Sequence, residues 1–242
     1  MSKIEWCDKT WNPITGCSKI SPACKNCYAE KMSKRLAGRF GYPVDDPFKP
    51  GTFHPDKLNE PLKWNGKLVF VTSMGDLFHD NVRKNLIKKV FHVISRSNNT
   101  FILLTKRPRK MAKCLSEYAN KLKRFPPNIW AGITVESEDT TWRIDVLGDI
   151  PVRVKFISAE PLLSELGIMG ELCSNGIDWV ICGGETGPGA RPMKKEWAVS
   201  LKDQCKELNI PFFFKSMGGK NKSRELEGST YNELPRIYKG GC

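Results

Sequence analysis

No apolar run in this chain approaches the ~18 consecutive residues needed to span a bilayer. The longest, Leu68–Val71, Phe101–Leu104 and Trp179–Cys182, have the length of buried strands. The opening residues Met1-Ser2-Lys3-Ile4-Glu5-Trp6 carry no apolar stretch like that of a secretory leader. These absences point to a cytoplasmic chain that does not engage the membrane. Histidine is scarce: His54, His79 and His92 are the only three, and they supply neither an H-E-x-x-H site nor a catalytic triad. Acidic residues are outnumbered, 26 Asp+Glu against 39 Lys+Arg, leaving a formal charge of +13. Such an excess favours polyanionic partners. Internal repeats and low-complexity tracts are absent.

What remains is ordinary globular material. The 242 residues are 40% hydrophobic and 27% charged, enough for about one domain on the usual ~100–200 residues each. Short β-branched runs alternate with segments of helical period. Strands are expected at Lys67–Thr72, Thr100–Thr105, Trp130–Val135, Val152–Ser158, Trp179–Cys182 and Pro211–Phe214. Helices are expected at about Asn81–Arg96, Pro108–Leu122, Thr140–Leu147 and Lys195–Leu208. An earlier strand around Asn12–Thr15 and a helix from Ala23 to Leu36 complete the pattern. The alternation predicts an α/β fold with a parallel sheet under helices. Nearly every strand ends in polar residues, three of the ends carrying Glu136, Glu160 and Glu185. A shared rim of that kind favours a partial (β/α) barrel over an open sheet. Residues 1–217 would form this domain, with a Pro- and Gly-rich insertion at about 38–66. A polar extension, 218–242, would pack on the barrel.

Nine cysteines divide into six scattered residues and one cluster, Cys17, Cys24 and Cys27, spaced C-x6-C-x2-C among Gly, Ser, Pro, Lys and Asn. Scattered cysteines commonly act as small buried hydrophobes. A thiol cluster on a polar loop suits a metal. Structural zinc takes four ligands, and the nearest further candidates, Cys7 and His54, do not make the usual second pair. Three cysteines also suit a [4Fe–4S] cluster whose fourth iron takes an outside ligand, with Lys19 and Lys25 favouring the thiolates. Both readings stand on the spacing alone.

A three-cysteine loop at the first strand of a βα chain resembles the radical S-adenosylmethionine superfamily, although the usual spacing there is C-x3-C-x2-C. The segments Val71–Phe78, Leu104-Thr105-Lys106-Arg107 and Gly132–Glu136 are similar to successive strand ends of its spore photoproduct lyase-like branch. The chain as a whole resembles a phage- and prophage-associated three-Cys-motif family. The stretches concerned include Thr10–Cys17, Cys24–Glu30, Ser73–His79, Glu160–Leu163, Gly183–Met193, Phe213–Lys215 and Asn232–Arg236.

The resemblance implies a [4Fe–4S] cluster on Cys17, Cys24 and Cys27, S-adenosyl-L-methionine as cofactor, and an external one-electron donor. The cluster would cleave S-adenosylmethionine to a 5′-deoxyadenosyl radical. Ser73, Met74, Gly75 and Asp76 would receive the methionine ammonium. Thr105, Thr134, Glu136, Gly183 and Gly184 would hold the rest of the cofactor. Glu136, Glu160, Glu185 and Lys106 are the candidate catalytic or substrate-anchoring groups. The loop Gly183–Arg191 matches neither a phosphate-binding nor a dinucleotide-binding pattern. His79, beside the proposed cofactor turn, is a further residue of interest.

Between Phe101 and Phe125 eight Lys/Arg face one Glu, a local charge of +7. With Arg107, Arg109, Lys110, Arg191 and Lys215, and an extension at Lys220–Arg224, this suits a DNA, RNA or nucleotide substrate. Trp11, Trp64, Trp130 and Trp142 are candidate base-stacking residues. Two alternatives are a radical enzyme acting on a small metabolite or peptide, and a zinc-stapled nucleic-acid-binding protein without catalysis.

Overall fold

A computed structural model describes residues 4–219 and 223–235. Seven short segments, all but the first largely apolar, form one parallel sheet: β1 (Lys9–Trp11), β4 (Leu68–Val71), β5 (Thr100–Thr105), β6 (Ile129–Thr134), β7 (Val154–Ala159), β8 (Trp179–Cys182) and β9 (Phe212–Phe214). Each pairs with its neighbour in chain order, without the reversal that marks a doubly wound sheet. The sheet curls into a half-barrel flanked by helices. Two short ladders lie outside it. β2 (Ile14–Thr15) pairs with β3 (Thr52–Phe53) from the insertion, and β10 (Glu225–Leu226) pairs with β11 (Ser229–Thr230).

The helices are α1 (Tyr28–Leu36), α2 (Lys84–Ser95), α3 (Pro108–Leu122), α4 (Trp142–Gly148), α5 (Met169–Ser174) and α6 (Lys195–Glu207). Three expectations need correction. The strand expected around Asn12–Thr15 is present only as Ile14–Thr15, which pairs with β3; the first strand of the main sheet is the earlier Lys9–Trp11, and Pro13, without an N–H for the ladder, separates the two. The helix expected from Ala23 starts only at Tyr28, since Cys27 is extended (ψ 121°) and Pro22–Cys24 form a separate 3-10 turn. The helix expected from Asn81 starts at Lys84, after an extended Arg83 (ψ 136°). The six-residue α5 buries Leu172 alone, too little for a readable period.

Side-chain alternation along each strand sorts the core into two layers. Val69, Val71, Phe101, Leu103, Ala131, Ile133, Ile157, Val180, Phe212 and Phe214 pack with the helices. The opposite set includes no helical residue and therefore fills the concave face: Leu68, Phe70, Ile102, Trp130, Val154, Phe156, Trp179, Ile181 and Phe213, closed by Trp6 and Cys7. The Phe156 ring occupies the space over Gly132, where a Cβ would lie 2.2 Å from it. The bottom of the half-barrel is thus a sealed aromatic floor.

Residues 223–235 run along the β9 edge. Phe214 N donates to Tyr231 O at 2.9 Å, Trp179 Nε1 donates to Glu233 O at 2.9 Å, and Leu226 is buried. Lys220 and Lys222 of the expected basic extension, with Arg236 and Cys242, lie outside the described residues. Among those described, no helix is long and apolar enough to cross a membrane.

Candidate functional site

The three-cysteine loop lies across the C-terminal mouth of the half-barrel and is held at both sides. On the β4 side Gly16 N donates to Met74 O at 3.0 Å, Met74 N donates to Asn12 Oδ1 at 2.9 Å, and the Tyr28 hydroxyl donates to Ser73 O. On the β8 side Asn26 Nδ2 lies 2.8 Å from both Glu185 Oε2 and Gly189 O. Arg191 Nη2 reaches Pro22 O at 3.0 Å, and Lys31 Nζ reaches Pro188 O at 3.1 Å. Cys17, Cys24 and Cys27 line one cavity of about 380 Å³ with Ser18, Lys19, Glu30 and Lys34.

Each acidic residue predicted at a strand end has its own basic partner. Asp76 is buried and accepts from the Thr105 hydroxyl, Phe78 N and Arg107 Nη1, all at 2.9 Å. Glu136, fully buried, pairs with Arg143 at 2.8 Å; its Oε1 has no hydrogen-bond partner, and neither does Arg143 Nε. Glu160 pairs with Lys215 at 3.2 Å. Glu185 is gripped by the Arg191 side chain and backbone and by Asn26. Burial alone would raise the Glu185 pKa, but these hydrogen bonds outweigh it and hold the group at about 2. Asp76 and Glu185 therefore fasten the loop, whereas Glu136 keeps an uncommitted acceptor.

The alternation that builds the aromatic floor also puts Thr134, Ser158, Glu160, Gly183 and Lys215 on the concave face above it. Lys106 Nζ approaches Thr134 Oγ1 at 3.4 Å. A Cβ on Gly183 would come within 3.1 Å of Glu160 Oε1 and 3.2 Å of Lys215 Cβ, so the missing side chain leaves room for that ion pair. Gly184 is approached by the chain itself: its Cβ position is 2.1 Å from Met217 O.

The thiols sit among cations. Arg107 Nη1 lies 3.5 Å from Cys17 Sγ, and its Nη2 donates to Ser18 O and Oγ at 3.2 Å. Burial, with the Asp76 charge behind it, pushes the Cys17 pKa up to about 11 against the pull of Arg107. Burial acts the same way on Cys24, but backbone hydrogen bonds at Ile20 and Ser21 and the Lys106 charge bring its pKa below the ordinary thiol value. His79 accepts from Asn81 N through Nδ1 at 3.0 Å, which leaves Nε2–H to donate to Ser18 Oγ at 2.7 Å. Burial, then Arg107, lowers the His79 pKa.

Among the described residues no group of three or more His, Cys, Asp or Glu is placed to hold a metal ion. Of the possible fourth zinc ligands, Cys7 is buried in the aromatic floor and His54 is bonded to Thr15 Oγ1 at 2.7 Å. A polynuclear cluster makes a different demand, since each thiolate binds a separate iron. Cys17, Cys24 and Cys27 line one cavity, with Arg107 beside Cys17 and the Lys106 charge acting on Cys24.

The predicted basic residues divide in the structure. Arg107 is turned inward, its side chain 10% exposed. Lys110 bonds His79 O at 2.6 Å and stands 3.6 Å from Asp80. Arg109 is exposed and lies over the Trp142 ring at 5.1 Å. Sequence reasoning did not single out Asn12, Ser18, Asn26, Tyr28 or Arg143. Asn12, Asn26 and Tyr28 stand inside the stretches that carry the family resemblance, which was the available signal. Arg143 had none.

The chain belongs to the family described as “Protein of unknown function (DUF5131)”, which matches residues 1–235. Neither the curated proteins nor the solved structures give a match.

Proposed function

We propose that the chain is a radical S-adenosylmethionine enzyme acting on a nucleic acid or nucleotide, with an external one-electron donor. The observation that carries this reading is that Cys17, Cys24 and Cys27 line one cavity, closed on its other side by Asp46, Pro47, Phe48 and Pro50 of the insertion. These three would hold a [4Fe–4S] cluster, which, when bound with S-adenosylmethionine, supplies one-electron cleavage to a 5′-deoxyadenosyl radical. The protein's share is binding, orientation and shielding.

Lys106 and Arg107 reduce the charge cost of gathering thiolates. The clamps Asn26–Glu185 and Gly16–Met74 hold the loop against the sheet. Of the residues assigned to S-adenosylmethionine, Ser73, Met74 and Gly75 are partly exposed and would receive it, whereas Asp76 and Thr105 are bonded to each other and to Arg107, and Met217 covers Gly184. Glu136, fully buried, fixes Arg143 from within and does not face the cofactor. The Glu160–Lys215 pair above the aromatic floor is the group assigned to anchor substrate or move a proton. The floor itself excludes water from below.

Anaerobic reconstitution with iron and sulfide tests the reading. A brown protein with about four irons per chain, lost when any of the three cysteines becomes Ala, supports it. A colourless protein that retains stoichiometric zinc instead would overturn it in favour of the zinc-stapled alternative.

A further inference from the structure

Of the four tryptophans considered as stacking residues, Trp11 and Trp130 are core residues, at 0% and 3% exposure, and Trp64 is half-buried against the helical layer. Trp142 is 44% exposed. It opens α4, the helix that follows β6, and α4 packs against α3. Arg109, in the first turn of α3, extends its guanidinium over the indole. Arg143 also approaches the Trp142 ring, 5.9 Å from its centroid, while fixed to Glu136. An exposed indole is thus positioned by two arginines, one of them, Arg109, two residues after the Arg107 that reaches Cys17.

The charge around it is asymmetric. Along α3 and just beyond, Arg109, Lys113, Lys121, Lys123 and Arg124 are all exposed, and the one acidic residue of the stretch, Glu117, is bonded to Lys84 at 2.6 Å. The turn before α4, α4 itself and its C-terminal end expose Glu138, Asp139, Asp145 and Asp149. A phosphate backbone is therefore drawn to the α3 side and repelled from the α4 side. Aromatic rings and guanidinium planes both stack unpaired bases, and duplexes keep their base faces covered.

We infer that Trp142 and Arg109 form a stacking platform for an unpaired base of a single-stranded polynucleotide, whose phosphates follow the exposed basic face of α3. This deepens the proposed function by naming a substrate form and its docking surface, but binding at the platform does not require the cluster.

Fluorescence anisotropy with the full chain tests it, using labelled oligo(dT) and oligo(rU) of about 20 nucleotides and a duplex of equal length. The single strands should bind more tightly than the duplex, and the dT and rU arms identify which polymer is preferred. Trp142→Ala should weaken single-strand binding about tenfold, with Trp142→Phe in between. Arg109→Gln should weaken it and also flatten its salt dependence. Equal affinity for duplex and single strand, unaffected by Trp142→Ala in a variant with an unchanged melting curve, overturns the platform. Cofactor cleavage to 5′-deoxyadenosine without oligonucleotide, measured on the same reconstituted Trp142→Ala protein, separates the two ideas. If the wild type binds but cleaves nothing, the radical reading fails alone; if it cleaves but does not bind, the platform fails alone.

Discussion

Arg107 joins Asp76 to Cys17: one guanidinium nitrogen lies 2.9 Å from the Asp76 carboxylate and 3.5 Å from the Cys17 sulfur. Both ends of the ion pair are nearly buried, with side chains 10% and 7% exposed. Removing one partner leaves the other charge stranded. Arg107→Met should therefore destabilise the protein by about 3–5 kcal/mol in urea titration. Asp76→Asn on that background should recover much of the loss. Arg107→Lys should recover less than its charge suggests, because a lysine cannot serve Asp76, Cys17 and Ser18 with one planar fork.

Thr105 adds a second tie to the same carboxylate, its hydroxyl 2.9 Å from both oxygens, and also accepts from Arg107 N. Thr105→Val keeps the shape and removes the donor. The expected cost is about 1.5–3 kcal/mol, the usual worth of a hydrogen bond to a charged group. Equal unfolding midpoints for the two proteins would show that Asp76 is satisfied without it.

Glu185 gives a pH signature. Its folded pKa, about 2, is depressed from the ordinary 4.5. Its contribution is therefore fully present above 4.5 and is lost as pH falls through about 2. Wild type should lose more stability than Glu185→Gln across that window, measured as the shift in urea midpoint. At neutral pH the variant should be less stable by about 1–2 kcal/mol, discounted because Arg191 is partly solvated.

The aromatic floor is tested by a pair of substitutions. Gly132→Ala places a methyl 2.2 Å from the Phe156 ring and should cost about 1–3 kcal/mol through overpacking. Phe156→Leu also destabilises alone, but the double variant should cost less than the two singles together, since the shortened side chain makes room. Strict additivity would mean that the two positions do not share the space.

Much of the scaffold was legible, for reasons visible in particular elements. β5 and β8 occupy the predicted residues because each is a bounded β-rich apolar run, and α3 because Pro108 opens it and Lys123, in the left-handed region at φ 55°, ends it. β1 was missed because only Trp11 of its three residues is buried, leaving no alternation to read. The cysteine cluster and the strand-end carboxylates were legible as residues but not as partners. Glu185 meets Asn26 across 159 positions, and Glu136 finds Arg143 only because α4 folds back over β6. Such pairings arise from tertiary packing, which carries no local period. The inward turn of Arg107 had the same origin: its sequence position suited neutralising a carboxylate, but only the fold shows that the carboxylate is the buried Asp76.

The central claim is that this chain gathers three thiolates to activate S-adenosylmethionine. The most direct test is the yield of 5′-deoxyadenosine from the full chain, reconstituted anaerobically, reduced with dithionite and supplied with S-adenosylmethionine. The account predicts product from the wild type and none from Cys17→Ala, Cys24→Ala or Cys27→Ala. A wild-type protein that holds its iron but forms no 5′-deoxyadenosine, or a Cys→Ala variant that forms it undiminished, would contradict the account.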